Sequence, residues 1–128
     1  MIGVDTNVLV RFLLSDDPVQ SPQAADFFAQ RTTADPAFVS LVTLVETVWN
    51  VRRQVTQAQL AATISRLLTS EHVVVQAPDV VSRALRDATE AGADLADAVI
   101  AHLGIGADCD FTVTFDRKAA SLPGMLAL

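Results

Sequence analysis

Short apolar segments alternating with stretches of helical periodicity set the tightest limit on what this chain can fold into. Ile2–Asp5, Ala37–Ser40 after Asp35-Pro36, the valine-rich His72–Gln76 and Phe111–Phe115 read as strands, and Met125–Leu128 as a closing edge strand. Between them lie helical patterns. Val8, Leu9, Phe12 and Leu13 recur at helical spacing after Asp5. Ser21-Pro22 reads as a cap with proline at the first helical position, opening a helix to about Arg31. Leu41–Arg53 is a third helix, and Thr56 with Gln59 forms a capping box for a fourth ending near Ser70. Asp79–Ala91, stopped by Gly92, is the fifth; Asp94 caps a sixth to about Gly104, and a short helix follows Asp116. Strands separated by helices in this way predict an α/β domain with a mainly parallel sheet.

The length of 128 residues suits one domain, 1–128, with no repeat, low-complexity stretch or linker. Hydrophobic residues make up 51%, which excludes a disordered chain. With the glycines added, the apolar share stands above the roughly 45–50% usual for soluble domains, a hint of apolar surface kept for a partner. No apolar run approaches the ~20 residues of a membrane span, and Asp5 and Arg11 interrupt the N-terminal apolar stretch as no signal peptide would allow. The single cysteine, Cys109, excludes an internal disulfide and a cysteine-based zinc site. A soluble cytoplasmic protein is expected. The net charge of −6 argues against gripping nucleic acid through a basic surface.

Four acids stand where the apolar pattern predicts burial. Asp5 ends the first strand, Glu46 lies in the apolar run Leu41–Trp49, Asp97 in Leu95–Ala101, and Asp116 follows the strand Phe111–Phe115. A buried carboxylate without a partner costs several kcal/mol, so such acids are paired or bind metal. Apart from Arg117 and Lys118, no base lies in these segments. In a parallel α/β sheet, strand C-termini and helix N-termini meet at one edge, where ligands bind. Hard oxygen donors favour Mg2+ or Mn2+ over zinc. The plainer alternative also stands: Asp5 and Asp116 as N-caps, and Thr43/Glu46 and Asp94/Asp97 as capping boxes.

The stretch Met1–Leu9, an apolar strand running into Asp5-Thr6-Asn7, resembles the opening of PIN domains. Val45–Trp49 is similar to their second acidic motif, Asp94–Ala101 to the third, and Val113–Lys118 to the fourth. Four motifs in order make a specific match, and the length most resembles the VapC toxins of toxin–antitoxin pairs. The resemblance implies a three-layer α/β/α domain with a central, mainly parallel sheet of four to five strands. It implies a metal-dependent endoribonuclease, usually a homodimer, restrained by a cognate antitoxin that alone would link it to operator DNA. Asp5, Glu46, Asp97 and Asp116 match the catalytic metal-binding acids. Asn7 and Thr114 match polar residues that order the site, and Asp94 an auxiliary acid. Residues 53–93 match no motif.

On that reading Asp5 and Asp97 hold one ion that activates a water, while Glu46 and Asp116 complete the cluster, with a second ion stabilising the leaving oxygen. Two divalent ions, carrying +4 between them, bring the net charge from −6 to −2. Arg11, Arg52, Arg53, Arg117 and Lys118 are available for phosphates, although each also reads as ordinary surface charge. Trp49 is expected in the core or an interface, Cys109 in the core, and His72 and His102 in structural roles. Val8, Leu9, Phe12, Leu13, Phe27 and Phe28 read mainly as core, with an antitoxin groove as the other use. Two alternatives remain. One is a non-catalytic binding module within an antitoxin–operator complex. The other is a haloacid-dehalogenase-like phosphatase, which Asn7 disfavours by standing where that chemistry needs a second aspartate.

Overall fold

The computed structural model describes all 128 residues, which divide into two compact units, Met1–Gln76 and Ala77–Leu128.

The first unit opens with β1 (Ile2–Gly3) and runs through α1 (Thr6–Leu14), α2 (Gln20–Ala29), β2 (Ala37–Val39), α3 (Leu41–Val51), α4 (Gln57–Thr69) and β3 (Val73–Val75). Its strands form one parallel sheet in the order β1-β2-β3, with Ile2 opposite Ala37 and Ala37 opposite Val73. Because all three strands run the same way, the starts of α1 and α3 follow strand ends at one edge. Leu9, Val39, Leu44, Val51 and Ile64 are fully buried and form its core. Phe12, Phe27 and Phe28 close the α1–α2 contact, with Phe12 and Phe28 ring centroids 4.3 Å apart. Of the six apolar side chains on these helices only Leu9 is fully buried; Val8 is exposed and the others are half-buried.

Local chemistry explains the helix ends. The Thr56 capping box forms in both directions, with the Gln59 amide on the Thr56 hydroxyl and the Thr56 amide on Gln59 Oε1. Helix α2 starts differently from the expected Ser21-Pro22 cap. Asp17 Oδ1 accepts from the amides of Val19 (2.9 Å) and Gln20 (2.6 Å), and this carboxylate organises the start of α2. Ser21 is instead buried, donating its hydroxyl to the Arg11 carbonyl.

The second unit comprises α5 (Pro78–Ala91), α6 (Leu95–Gly106), β4 (Thr112–Thr114), a 3-10 turn at Ala119–Ser121, and β5 (Met125–Ala127). Gly92 ends α5 at φ 62°, a left-handed cap that glycine adopts without strain. Val81, Ala84, Ala88, Ala98, Val99 and Ala101 pack α5 against α6. Strands β4 and β5 are parallel, Val113 opposite Leu126. Strands paired in parallel and interleaved with helices make this an α/β fold, as expected, with a three-stranded ladder in the first unit and a two-stranded ladder in the second. No helix is long and apolar enough to cross a membrane.

Candidate active site

In the first unit the site begins where β1 ends. Asp5 is the N-cap residue of α1, yet its side chain makes no capping hydrogen bond and is exposed. Thr6, the first residue of α1, is buried, and its hydroxyl donates to Glu46 Oε2 at 2.6 Å. Helix α3 brings Glu46 there through two further contacts. The Ser40 hydroxyl caps the helix by accepting from the Thr43 amide at 3.0 Å, and the Thr43 hydroxyl donates to the Val4 carbonyl at 3.1 Å. The end of β1 and the first turn of α3 are thereby fastened together, with Glu46 one turn further on.

Asn7 is exposed beside Thr6 and lines a groove of about 350 Å3 with Gly3, Val4, Val8, Arg11 and Phe27. Arg11 is engaged locally, donating to both Asp16 carboxylate oxygens at 3.1 Å and to Gln20 Oε1 at 3.0 Å.

In the second unit Asp94 is the N-cap residue of α6 but gives no side-chain cap, and Asp97 lies in the first helical turn. Asp97 is half-buried and has neither a hydrogen bond nor an ion pair. Burial pushes its carboxyl above the ordinary range, and the charges of Asp94 and Asp116 push it further. Asp116 moves the opposite way. Its Oδ1 accepts from the amides of Ala119 (3.0 Å) and Lys118 (2.7 Å), which hold its carboxyl below the usual range. The Thr114 hydroxyl accepts from the Asp116 amide at 3.0 Å. Arg117 and Lys118 are exposed without ion pairs.

Several expectations are corrected here. Of the four acids only Asp97 is partly buried; Asp5, Glu46 and Asp116 are exposed, because each sits at an element end or on a solvent stripe. The Thr43/Glu46 capping box does not form, since Ser40 accepts from the Thr43 amide and Glu46 accepts from Thr6, and at Asp94/Asp97 the Asp94 side chain makes no cap bond. Of the four acids only Asp116 accepts backbone amides, although the N-cap position of the 3-10 turn falls on Lys118. Trp49 is 57% exposed on α3, which removes the core half of its expectation and not the interface half, and Cys109, expected in the core, is exposed in the loop before β4.

Two groups went unread in the sequence. Thr6 escaped notice because its partner lies 40 residues away. Asp87 carried a usable signal: it falls on the Val81–Ala84–Ala88 stripe of α5, where an acid is out of place. It is buried and meets the half-buried His102 of α6, Asp87 Oδ2 standing 2.7 Å from His102 Nε2. That bond, with a lesser one from Arg86, holds Asp87 below the usual carboxylate range. His102 thus has the structural role expected of it.

In each unit taken by itself the acids are hard oxygen donors, of the kind a divalent ion such as Mg2+ prefers. Asp97 in particular, crowded by two like charges and lacking any basic partner, is the environment a bound cation relieves. No three Asp, Glu, His or Cys side chains are gathered closely enough to hold a metal ion between them. Among families of known proteins, the PIN domain matches residues 2–124 of the chain. No curated protein matches it.

Proposed function

Because this chain belongs to the PIN domain family, we propose that it is a divalent-metal-dependent endoribonuclease of the VapC toxin type. The observation that carries the reading is Asp97, a half-buried carboxyl without a hydrogen-bond or ionic partner, raised by burial and by Asp94 and Asp116. A structural acid finds a partner; this one is kept short of positive charge. Asp5, Glu46, Asp97 and Asp116 are the proposed ligands, with Asp94 as an auxiliary acid and Mg2+ or Mn2+ as the ion. When bound, the metal supplies Lewis acidity and an acidified water for attack on an RNA phosphodiester.

The chain's own groups do the rest. Thr6 holds one Glu46 oxygen by a 2.6 Å hydrogen bond and so sets the direction of the other. Asp116 fastens its turn through Oδ1, which leaves Oδ2 uncommitted. Thr114 fixes the Asp116 backbone. Asn7 is free to contact substrate, and Arg117 and Lys118 offer positive charge to phosphates beside Asp116. We further propose that an antitoxin peptide occupies the groove lined by Asn7, Val8 and Phe27, that the chain works as a cytoplasmic homodimer, and that operator DNA is reached only through the antitoxin.

The test is cleavage of a mixed cellular RNA pool by antitoxin-free protein with Mg2+ or Mn2+, with Asp97→Asn alongside. Cleavage that chelator and the substitution both abolish is the expected result. RNA left intact by the wild type, or cut equally well in chelator, would overturn the proposal.

A further inference from the structure

Helix α3 has an inner face of Thr43, Leu44, Thr47, Val48 and Val51, all buried. Its outer stripe is Val42, Glu46 and Trp49, at the i, i+4, i+7 spacing that puts side chains in one row. Glu46 is held by Thr6, and the chain's one tryptophan stands a single turn beyond it, 57% exposed. An indole left this open is a poor use of the largest apolar side chain unless something covers it. What already touches it is informative. The Arg52 guanidinium lies 3.6 Å from the indole centroid and donates to the Trp49 carbonyl, which fixes the cation over the ring. Arg53 is exposed next to it. In a chain with only nine lysines and arginines against fifteen acids, two adjacent arginines beside an open indole are a local reversal of charge.

We infer that Trp49 is a stacking platform for an unpaired base of single-stranded RNA, with Arg52 and Arg53 taking the flanking phosphates. For the identity of the strand this rests on the nuclease reading above. A flat π surface backed by a guanidinium suits a base, since every base has a π face and its backbone is anionic. The surface departs from a peptide groove in kind: the apolar groove of this unit is lined from β1, α1 and α2 and excludes Trp49. Its place one turn from Glu46 lets a stacked base set which phosphate of the strand lies at that acid.

The lone tryptophan makes the test direct. In chelator, so that no strand is cut, a labelled single-stranded oligoribonucleotide of mixed sequence is titrated into the full chain. Label anisotropy and Trp49 fluorescence are followed together, and a duplex of the same sequence is run in parallel. The single strand is expected to quench Trp49 as it binds, the duplex far less. Trp49→Ala is expected to weaken binding about tenfold, the order of one lost base–aromatic stack. Trp49→Phe is expected to recover part of that loss, with circular dichroism unchanged in both. Absence of strand binding, binding without quenching, equal quenching by duplex, or full affinity in a folded Trp49→Ala would each overturn the inference. Metal-dependent cleavage by the wild type is scored separately: cleavage without quenching removes the stacking platform alone, and quenching without cleavage removes the nuclease alone.

Discussion

The Thr6 hydroxyl donates to Glu46 Oε2 at 2.6 Å, tying the first residue of α1 to the second turn of α3 across 40 residues of sequence. The donor is buried and the acceptor exposed, so the bond leaves one end anchored in the core and the other at the surface.

Thr6→Val keeps the shape of the side chain and removes only that donor. The expected cost in stability is modest, about 1 kcal/mol, because solvent can satisfy the exposed carboxylate. Cleavage should fall more steeply, by roughly 10–100-fold, the usual effect of removing a group that orients a ligating side chain. Thr6→Ser should restore most of the activity. Chemical denaturation and RNA cleavage measured on the same preparations separate the two effects, and a Thr6→Val protein as active as wild type would show that Glu46 needs no such orientation.

Asp97 gives a prediction with a definite sign. Burial first, then Asp94 and Asp116, raise its carboxyl above the value it has in the unfolded chain. At any pH above the folded value the ionised group therefore works against folding. That penalty fades as pH falls through the raised value and is gone below the ordinary carboxylate range. Asp97→Asn should accordingly melt higher than wild type near neutral pH without metal, and lose this advantage in acid. Mg2+ should raise the melting temperature of the wild type more than that of the variant, narrowing the gap. A variant that melts no higher than wild type at neutral pH without metal would count against this account.

The Asp87–His102 pair belongs to stability. Asp87→Ala leaves a half-buried imidazole without its partner, at an expected cost of about 1–3 kcal/mol. His102→Ala and the double variant complete a cycle in which the second substitution costs much less than the first. The His102 bond, with a smaller contribution from Arg86, lowers the Asp87 carboxyl. Its stabilisation is thus present above the ordinary carboxylate range and lost as pH falls through the lowered value. Thermal melts across acid pH check this, and RNA cleavage well below the melting range should be unaffected.

What the sequence made legible was local. All five strands lie within the expected segments, each shorter by one or more residues, with single backbone bonds to the neighbouring strand still made by Val4, Gln76 and Leu128 just past the strand ends. Thr56 and Gln59 form their capping box, and Gly92 ends α5, since both signals act within a few residues. The expected Ser21-Pro22 cap did not form: the Asp17 carboxylate took the amides of Val19 and Gln20, the helix opened ahead of Ser21, and the serine turned inward. Burial was read poorly. An apolar neighbourhood in sequence says how crowded a segment is, but the side of the helix decides exposure, and Glu46 and Trp49 fall on the outer stripe of α3 while Thr47 and Val48 face in. Contacts across long separations, such as Thr6 with Glu46, had no signal in the sequence.

The parallel pairing of β1 with β2 also sets an order of events during synthesis. Ile2 is made first, but its ladder partner Ala37 emerges 35 residues later, and β2 in turn waits for Val73. At about 5–20 residues per second, the opening strand spends seconds without a neighbour, a delay inherent to parallel strands joined by long crossovers. Helices α1 and α2, with their Phe12–Phe28 contact, can form in that interval. The junction that carries Asp5 is among the first parts of the chain to be synthesised, yet its neighbour Thr6 can meet Glu46 only after more than half of the unit has been translated.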